Sequence, residues 1–364
     1  MKRIVVCCDG TWNSPAQRFA TNVFKFKSAL LEAAPDGVRQ CIYYDIGVGA
    51  GSLLERIPGL FGAGVGRNVQ QAYRFVAENY EAGDELFFVG FSRGAYTVRS
   101  VVGMMRKCGI LRRDNLDALK EAYRFYRDRR VPPGHDDALG FRRENSVAIP
   151  GNDDFVPPTR FMSVWDTVGT LGVPSGLFTT PVQMLLEFVF NRGIRFHDVA
   201  LSRSVERAYQ ALAIDESRGD YQPTIWEQHP AASEQVLEQV WFAGAHTNIG
   251  GGAPDAEQSD HVLHWMASKA READLAFDDS KLPAAEGNPE APLHDSFVHI
   301  FKLRRFMRRP IGRGVPAEDA AYFGGRSCES VDPAVLRRHK ANPDYHPPNL
   351  VTYYRENPDE LNDS

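Results

Sequence analysis

The chain has 364 residues, 43% hydrophobic and 24% charged, with a formal net charge of −5. That length is within reach of one α/β domain carrying insertions, and the charge argues against a general nucleic-acid binder, which would show a dominant basic face. Met1-Lys2-Arg3 is followed by a short apolar run that stops at Asp9, too short for a signal peptide, and no run of about 18 apolar residues predicts a membrane span.

Ile4–Cys8 reads as a buried strand that stops at the polar turn Asp9-Gly10-Thr11-Trp12-Asn13. Thr21–Ala34 has helical spacing at Val23, Phe26, Leu30 and Leu31, with Thr21 as N-cap. A second strand, Cys41–Ile46, leads into a glycine-rich stretch from Gly47 to Gly66, and Asn68–Tyr80 is an amphipathic helix. The apolar run Leu86–Val89 then ends in Gly90-Phe91-Ser92-Arg93-Gly94, and helical segments Tyr96–Cys108 and Leu116–Arg127 follow. Residues 130–158 read as an excursion over the surface.

Thr159–Trp165 is the next strand, ending at Asp166-Thr167-Val168-Gly169. Val182–Phe190 is the most apolar non-strand stretch; it reads either as core or as a lid within 170–200. Ser204–Ala213 has helical periodicity through Val205, Ala208, Tyr209 and Leu212. The strand Gln239–Ala243 runs into Gly244-Ala245-His246, and the helix Asp260–Ala270 follows. Val298–Phe306 is a short strand or helix flanked by Arg304, Arg305, Arg308 and Arg309, and 340–364 reads as an irregular tail. Five cysteines (Cys7, Cys8, Cys41, Cys108 and Cys328) show neither zinc nor redox spacing and read as reduced thiols. Continuously apolar strands alternating with helices predict an α/β fold with a mainly parallel sheet, helices on both faces and function at the carboxyl ends of the strands. The expected organisation is a catalytic domain over 1–310 and a C-terminal extension over 311–364. The expected location is the cytoplasm, or outside it by a route without a cleaved signal peptide.

The strand, the sharp Gly-x-Ser-x-Gly turn and the helix together make a nucleophile elbow, with Ser92 as the nucleophile. Serine needs a base and an acid that orients the base. His246, just past a strand and beside Gly250-Gly251-Gly252, is the base; His197, next to Asp198, is the runner-up, and His261 and His264 occupy a helix face. The acid is Asp166, placed at a strand end, because a triad carboxylate has to be fixed by a rigid element; Asp215, which closes a helix where it would pair with Arg218, is the second choice. The oxyanion hole draws one N–H from Arg93 and one from Gly10 or Thr11. Phe91, Leu185 and Phe188 are expected to line the substrate site. The N-terminal Asp9-Gly10-Thr11 also invites comparison with haloacid-dehalogenase phosphatases, but the nucleophilic aspartate of that motif would fall on Cys7.

Asp9-Gly10-Thr11-Trp12-Asn13, Gly90-Phe91-Ser92-Arg93-Gly94-Ala95, Trp165-Asp166-Thr167-Val168-Gly169, Ala211-Leu212-Ala213-Ile214-Asp215-Glu216 and the Trp241–Gly252 block run in order over about residues 1–270. Together they resemble the α/β-hydrolase domain family of unknown function that includes the type VI secretion phospholipase effectors. The resemblance implies a serine hydrolase with a Ser-Asp-His triad and, in the effector members, phospholipase A activity on bacterial membrane lipids. Thr247-Asn248 stands where family members often have Ser-Asp. The expected partner is an acyl ester or phospholipid, with peripheral membrane contact, no nucleic acid, and no metal or cofactor. A thioesterase or peptidase on the same triad, or a catalytically silent scaffold, are the alternatives.

Overall fold

The computed structural model describes residues 1–10, 19–47, 61–168, 201–283, 288, 291–293, 307–313 and 326–361. Several predicted features lie outside them: Thr11, His197, Leu185 and Phe188, the lid segment 170–200 with Val182–Phe190, and the element at 298–306 with Arg304 and Arg305.

The described strands are β1 (Arg3–Cys8), β2 (Gln40–Asp45), β3 (Glu85–Phe91), β4 (Phe161–Trp165), β5 (Arg207–Ala213), β6 (Val236–Phe242) and β7 (Glu329–Val331). They form one sheet in the order β2-β1-β3-β4-β5-β6-β7, and every pairing is parallel. The helices are α1 (Asn22–Ala29), α2 (Phe61–Asn79), α3 (Arg93–Cys108), α4 (Leu119–Arg127), α5 (Asp136–Asn145), α6 (His246–Gly250), α7 (Glu257–Arg271), α8 (Pro333–Ala341) and α9 (Pro348–Glu356). This is the α/β-hydrolase fold.

A sheet covered on both faces needs apolar side chains at every strand position, not at alternate ones. Val5, Cys7, Phe87 and Val89 face α1 and α7 through Val23, Phe26, Val262 and Met266. Their neighbours Ile4, Val6, Leu86 and Phe88 face α2 and α3 through Val69, Tyr73, Val98 and Met105. The same burial on both sides misleads at β5. The periodicity of Ser204–Ala213 predicts a helix, whereas the chain runs as a strand whose residues from Ala208 to Ala213 are all buried. A strand buried on both faces carries no period-2 signal, so its apolar positions mimic a helical stripe.

Two other expectations change, and a third gains detail. The first helix stops at Ala29 instead of Ala34, because Leu30 turns extended and the chain there pairs with the segment at 276–278 through Leu31 N–H to Ala276 O (3.1 Å) and Asp278 N–H to Ala29 O (2.7 Å). Thr21 does cap it, accepting from Phe24 N–H at 3.2 Å. Residues 130–158 do run over the surface, mostly exposed, and they hold α5, whose buried Arg142 donates to the carbonyls of Asp154 (2.5 Å), Pro133 (2.9 Å) and Lys107 (3.2 Å). The segment 340–364 is not an irregular tail. β7 extends the sheet, and α8 and α9 build a separate apolar cluster in which Val335, Leu350 and Tyr353 cover Leu212, Ile214 and Trp241.

The turn after β3 is closed by two glycines that face backbone. A Cβ on Gly94 would lie 2.0 Å from the Cys8 carbonyl oxygen, and one on Gly90 would lie 2.7 Å from the Ala95 Cα. Neither neighbour can rotate away. Gly94→Ala is therefore expected to cost more than about 3 kcal/mol of stability. Gly140→Ala, on α5 with open space around it, should instead gain up to about 1 kcal/mol from helix propensity. Urea unfolding of the two variants beside the parent chain measures both.

Candidate active site

The sheet register sets three chain ends side by side. Phe91 pairs with Trp165, and Trp165 with Ala211, so the residues that follow β3, β4 and β5 emerge on one edge. Ser92 N–H donates to Trp165 O (3.0 Å) and Asp166 N–H to Ala211 O (2.8 Å), which ties the first two of these turns to their neighbours. Ser92 has φ 55° and ψ −117°, and Asp166 has φ 40°. Positive φ at a residue with a Cβ is a strained state, held only where the surroundings dictate it. At Ser92 those surroundings are the two glycine contacts and the start of α3, where Tyr96 N–H reaches Ser92 O (3.2 Å).

His246 opens the short helix α6, just beyond β6. Its Nδ1 lies 2.5 Å from Asp166 Oδ2, and its backbone N–H donates to Glu216 Oε2 (3.3 Å). The imidazole is packed against two aromatic rings, Phe91 with centroids 4.6 Å apart and Tyr221 edge-on at 5.0 Å. Phe91, expected to line the substrate site, is instead buried at 3% exposure. It fills the space left by Gly250, where a Cβ would lie 2.0 Å from its ring, and packs against the imidazole from the residue before Ser92. His261 and His264 point elsewhere, to Asp332 Oδ1 and Pro283 O, both at 3.2 Å. Among the described residues no three His, Cys, Asp or Glu side chains gather as a metal site.

The structure brings Asp166, and not Asp215, to the imidazole. Asp215 follows a strand rather than a helix, and its Oδ2 accepts from Gly244 N–H (2.6 Å) and Tyr345 O–H (3.0 Å). Arg218, its expected partner, forks onto Glu216 instead, at 2.8 and 2.6 Å, and lies 3.7 Å over the Tyr221 ring. The oxyanion candidates fare differently. Arg93 is the first residue of α3, directly after Ser92. Gly10 N–H is occupied by Asp9 Oδ1 (2.7 Å), and the buried Asp9 also accepts from Thr21 Oγ1 (2.5 Å) and Tyr44 O–H (2.8 Å).

Sequence reasoning gave no role to Arg309. Its guanidinium is fully buried against the Asp166 carboxylate, with Nη1 donating to Oδ1 (2.5 Å) and Nη2 to Oδ2 (3.0 Å). The same nitrogens reach Ala213 O (3.1 Å) and Tyr221 O. Burial pushes the Asp166 carboxyl up, but the Arg309 charge and the His246 hydrogen bond outweigh it and hold the group well below the usual carboxylate range. Burial also lowers the His246 imidazole, and the opposing pull of Asp166 does not fully restore it. The imidazole is therefore neutral, and able to accept a proton, at neutral pH.

The family profile described as "T6SS, Phospholipase effector Tle1-like, catalytic domain" matches residues 2–269. An uncharacterized protein of Saccharomyces cerevisiae is 29% identical over 140 residues, which cover 34% of this chain; the match spans one fifth (20%) of the length of the yeast protein. The similar solved structures include the following two. The Tle1 effector bound to the VgrG spike of the type 6 secretion system has a TM-score of 0.43 at 14% identity, over 81% of this chain and 77% of its own. The apo form of esterase 2 from Thermogutta terrifontis has a TM-score of 0.35 at 12% identity, over 76% and 85%.

Two stability measurements follow from these contacts. Asp166→Asn strips the counter-charge from a buried guanidinium and is expected to cost about 3–5 kcal/mol, whereas Asp215→Asn keeps an acceptor for Gly244 and Tyr345 and should cost about 1 kcal/mol or less; urea midpoints at pH 7.5 separate them. The second concerns pH. Below about 6.5 the unfolded chain protonates His246 while the folded chain does not, so stability falls with pH from there until the lower folded value is passed. Between pH 7.5 and 5.5 His246→Gln should lose less stability than the parent chain, read as a smaller drop in urea midpoint.

Proposed function

Because the chain belongs to the T6SS Tle1-like phospholipase effector catalytic-domain family, we propose that it is a serine hydrolase of carboxylic esters, acting on the acyl esters of lipids or phospholipids. The observation that carries this reading is a serine held at φ 55° between two obligate glycines and directly after Phe91, whose ring packs on a buried histidine that is hydrogen-bonded to a carboxylate. Strain of that kind persists where the surrounding structure enforces it, and a strained turn is the known way to lift a serine clear of a sheet.

In the proposed cycle Ser92 Oγ attacks the acyl carbonyl while His246 Nε2 takes the hydroxyl proton, and Asp166 keeps the Nδ1 proton and the ring in place. The new Oγ–C bond leaves a tetrahedral oxyanion. We assign the Arg93 N–H to it, with a second donor from Gly10 or Thr11; Gly10 would first release its bond to Asp9. Collapse breaks the C–O bond to the alcohol, which receives the proton from His246. Water then repeats the sequence on the acyl-enzyme, releasing the fatty acid and restoring Ser92. No metal or cofactor enters any step. The lipid substrate is inferred from the family description and would bring the chain to a membrane surface as a peripheral enzyme.

Hydrolysis of p-nitrophenyl esters from acetate to palmitate, with phosphatidylcholine–phosphatidylglycerol vesicles in parallel, tests the proposal. The expected outcome is turnover that falls at least about 10³-fold in Ser92→Ala, with fluorophosphonate labelling lost from the same variant. Faster cleavage of matched thioesters or peptides would reassign the substrate while keeping the triad. No turnover and no labelling in the parent chain would favour the silent scaffold.

A further inference from the structure

We propose that Arg309 is a positioning residue of the triad: it locks the Asp166 carboxylate from the side opposite the imidazole and neutralises it, so that His246 works beside an ion pair and not beside a bare carboxylate. The inference rests on the hydrolase reading for its consequence, and on geometry for its substance.

Four donors fill the carboxylate. Oδ1 accepts from Ala213 N–H (3.2 Å) and Arg309 Nη1 (2.5 Å), and Oδ2 from His246 Nδ1 (2.5 Å) and Arg309 Nη2 (3.0 Å). Two donors on each oxygen match its two lone pairs, so the group has no freedom to rotate. A lysine could supply the charge at this place but not the fork. The guanidinium is itself held by Ala213 O and Tyr221 O, and its chain segment is anchored by Met307 N–H to Ser217 O (2.9 Å) and by Asn349 Nδ2 to Arg309 O (3.1 Å). Residue 309 lies beyond the stretch that the family profile matches, 2–269. The site thus draws on a part of the chain that the profile does not describe.

The chemical effect follows from counting charge. When His246 takes the serine proton, the imidazolium must share Oδ2 with a second cation, so it gains less from Asp166 than it would from a lone carboxylate. The charged and titratable groups around the ring are Asp166 after β4, Glu216, Arg218 and Tyr221 after β5, Arg93 at the start of α3, and Arg309. Asp166 is matched by Arg309 and Glu216 by Arg218. The arrangement favours a base that stays unprotonated, and therefore active, on the acid side of neutrality.

The test reads the imidazole directly. Nitrogen-15 NMR titration of the histidines, with His246 identified by comparison with His246→Gln, is run on the full parent chain, on Arg309→Gln and on Arg309→Lys, beside the acid limb of kcat/KM for p-nitrophenyl butyrate. The parent imidazole is expected to titrate below the usual value of about 6.5. Arg309→Gln should raise the titration and the acid limb together by about one pH unit and lower kcat more than it changes KM. Arg309→Lys should keep both within a few tenths of a unit of the parent while kcat falls. The proposal is overturned by a folded Arg309→Gln protein whose titration equals the parent's, by Arg309→Lys shifting as far as Arg309→Gln, or by a parent imidazole that titrates above its usual value. If Arg309→Gln does not fold, Arg309→Lys decides by rate: a kcat equal to the parent's at an unchanged titration overturns the clamp, and a kcat lowered with KM unchanged upholds it. A titration that behaves as expected in a chain that cleaves no ester keeps the clamp and removes the hydrolase reading.

Discussion

The Asp166 carboxylate is where the strand ends of this sheet are fastened together. It sits after β4, takes a backbone donor from the end of β5, a ring donor from the turn after β6 and a guanidinium from the C-terminal segment. A charged group with no exposure is tolerable only if it is paired and its lone pairs are filled. Once that condition is met, the imidazole has one place to go. Its position then fixes Phe91, because the ring of Phe91 lies between His246 and the bare Cα of Gly250. Ser92 follows as the next residue. The geometry at the serine is thus set from below by glycine and backbone contacts and from the side by one carboxylate.

Asp9, at the end of β1, is held in a comparable way. It is buried and accepts hydrogen bonds from its neighbour Gly10, from the cap residue Thr21 and from Tyr44 on β2. Thr21 is used twice, donating to Asp9 and accepting from Phe24 N–H to start α1. These contacts give Asp9 the part of a joint between β1, α1 and β2. The sequence suggested a turn that serves the oxyanion, and the contacts show what holds Asp9 and Gly10 at its start.

What could be read from the sequence was whatever has a local cause. The elbow was legible because Gly90 and Gly94 are demanded by backbone only a few ångströms away, the strands β1 and β3 because each holds a short, unbroken apolar run between turn residues, and β4 because its run is interrupted by Ser163 alone. Strand β5 was not, since burial on both faces erases the alternation that distinguishes strand from helix. Arg309 and Arg142 were missed for a related reason. In sequence each is one arginine near others, which usually means solvent, and what buries them is a carboxylate 143 residues away in one case and a set of carbonyls in the other. The neighbouring acidic pair Asp215-Glu216 shows the limit most sharply: adjacent residues exchange roles, one bound to Gly244 and Tyr345 and the other to Arg218, and nothing in their order says which.

The placement of Arg309 also matters for the order in which the protein is made. A ribosome delivers β1 to β6, with Ser92, Asp166 and His246, well before it delivers residue 309 and the strand and helices that follow it. At about 5–20 residues per second, there is an interval in which the nucleophile and its base have been synthesised while the cation that neutralises the acid is still unmade. In that interval Asp166 has Ala213 and His246 as donors but lacks the guanidinium, and burying a carboxylate whose lone pairs are only partly filled is costly. Its full set of donors is complete only once residue 309 has been made and has folded back onto the sheet.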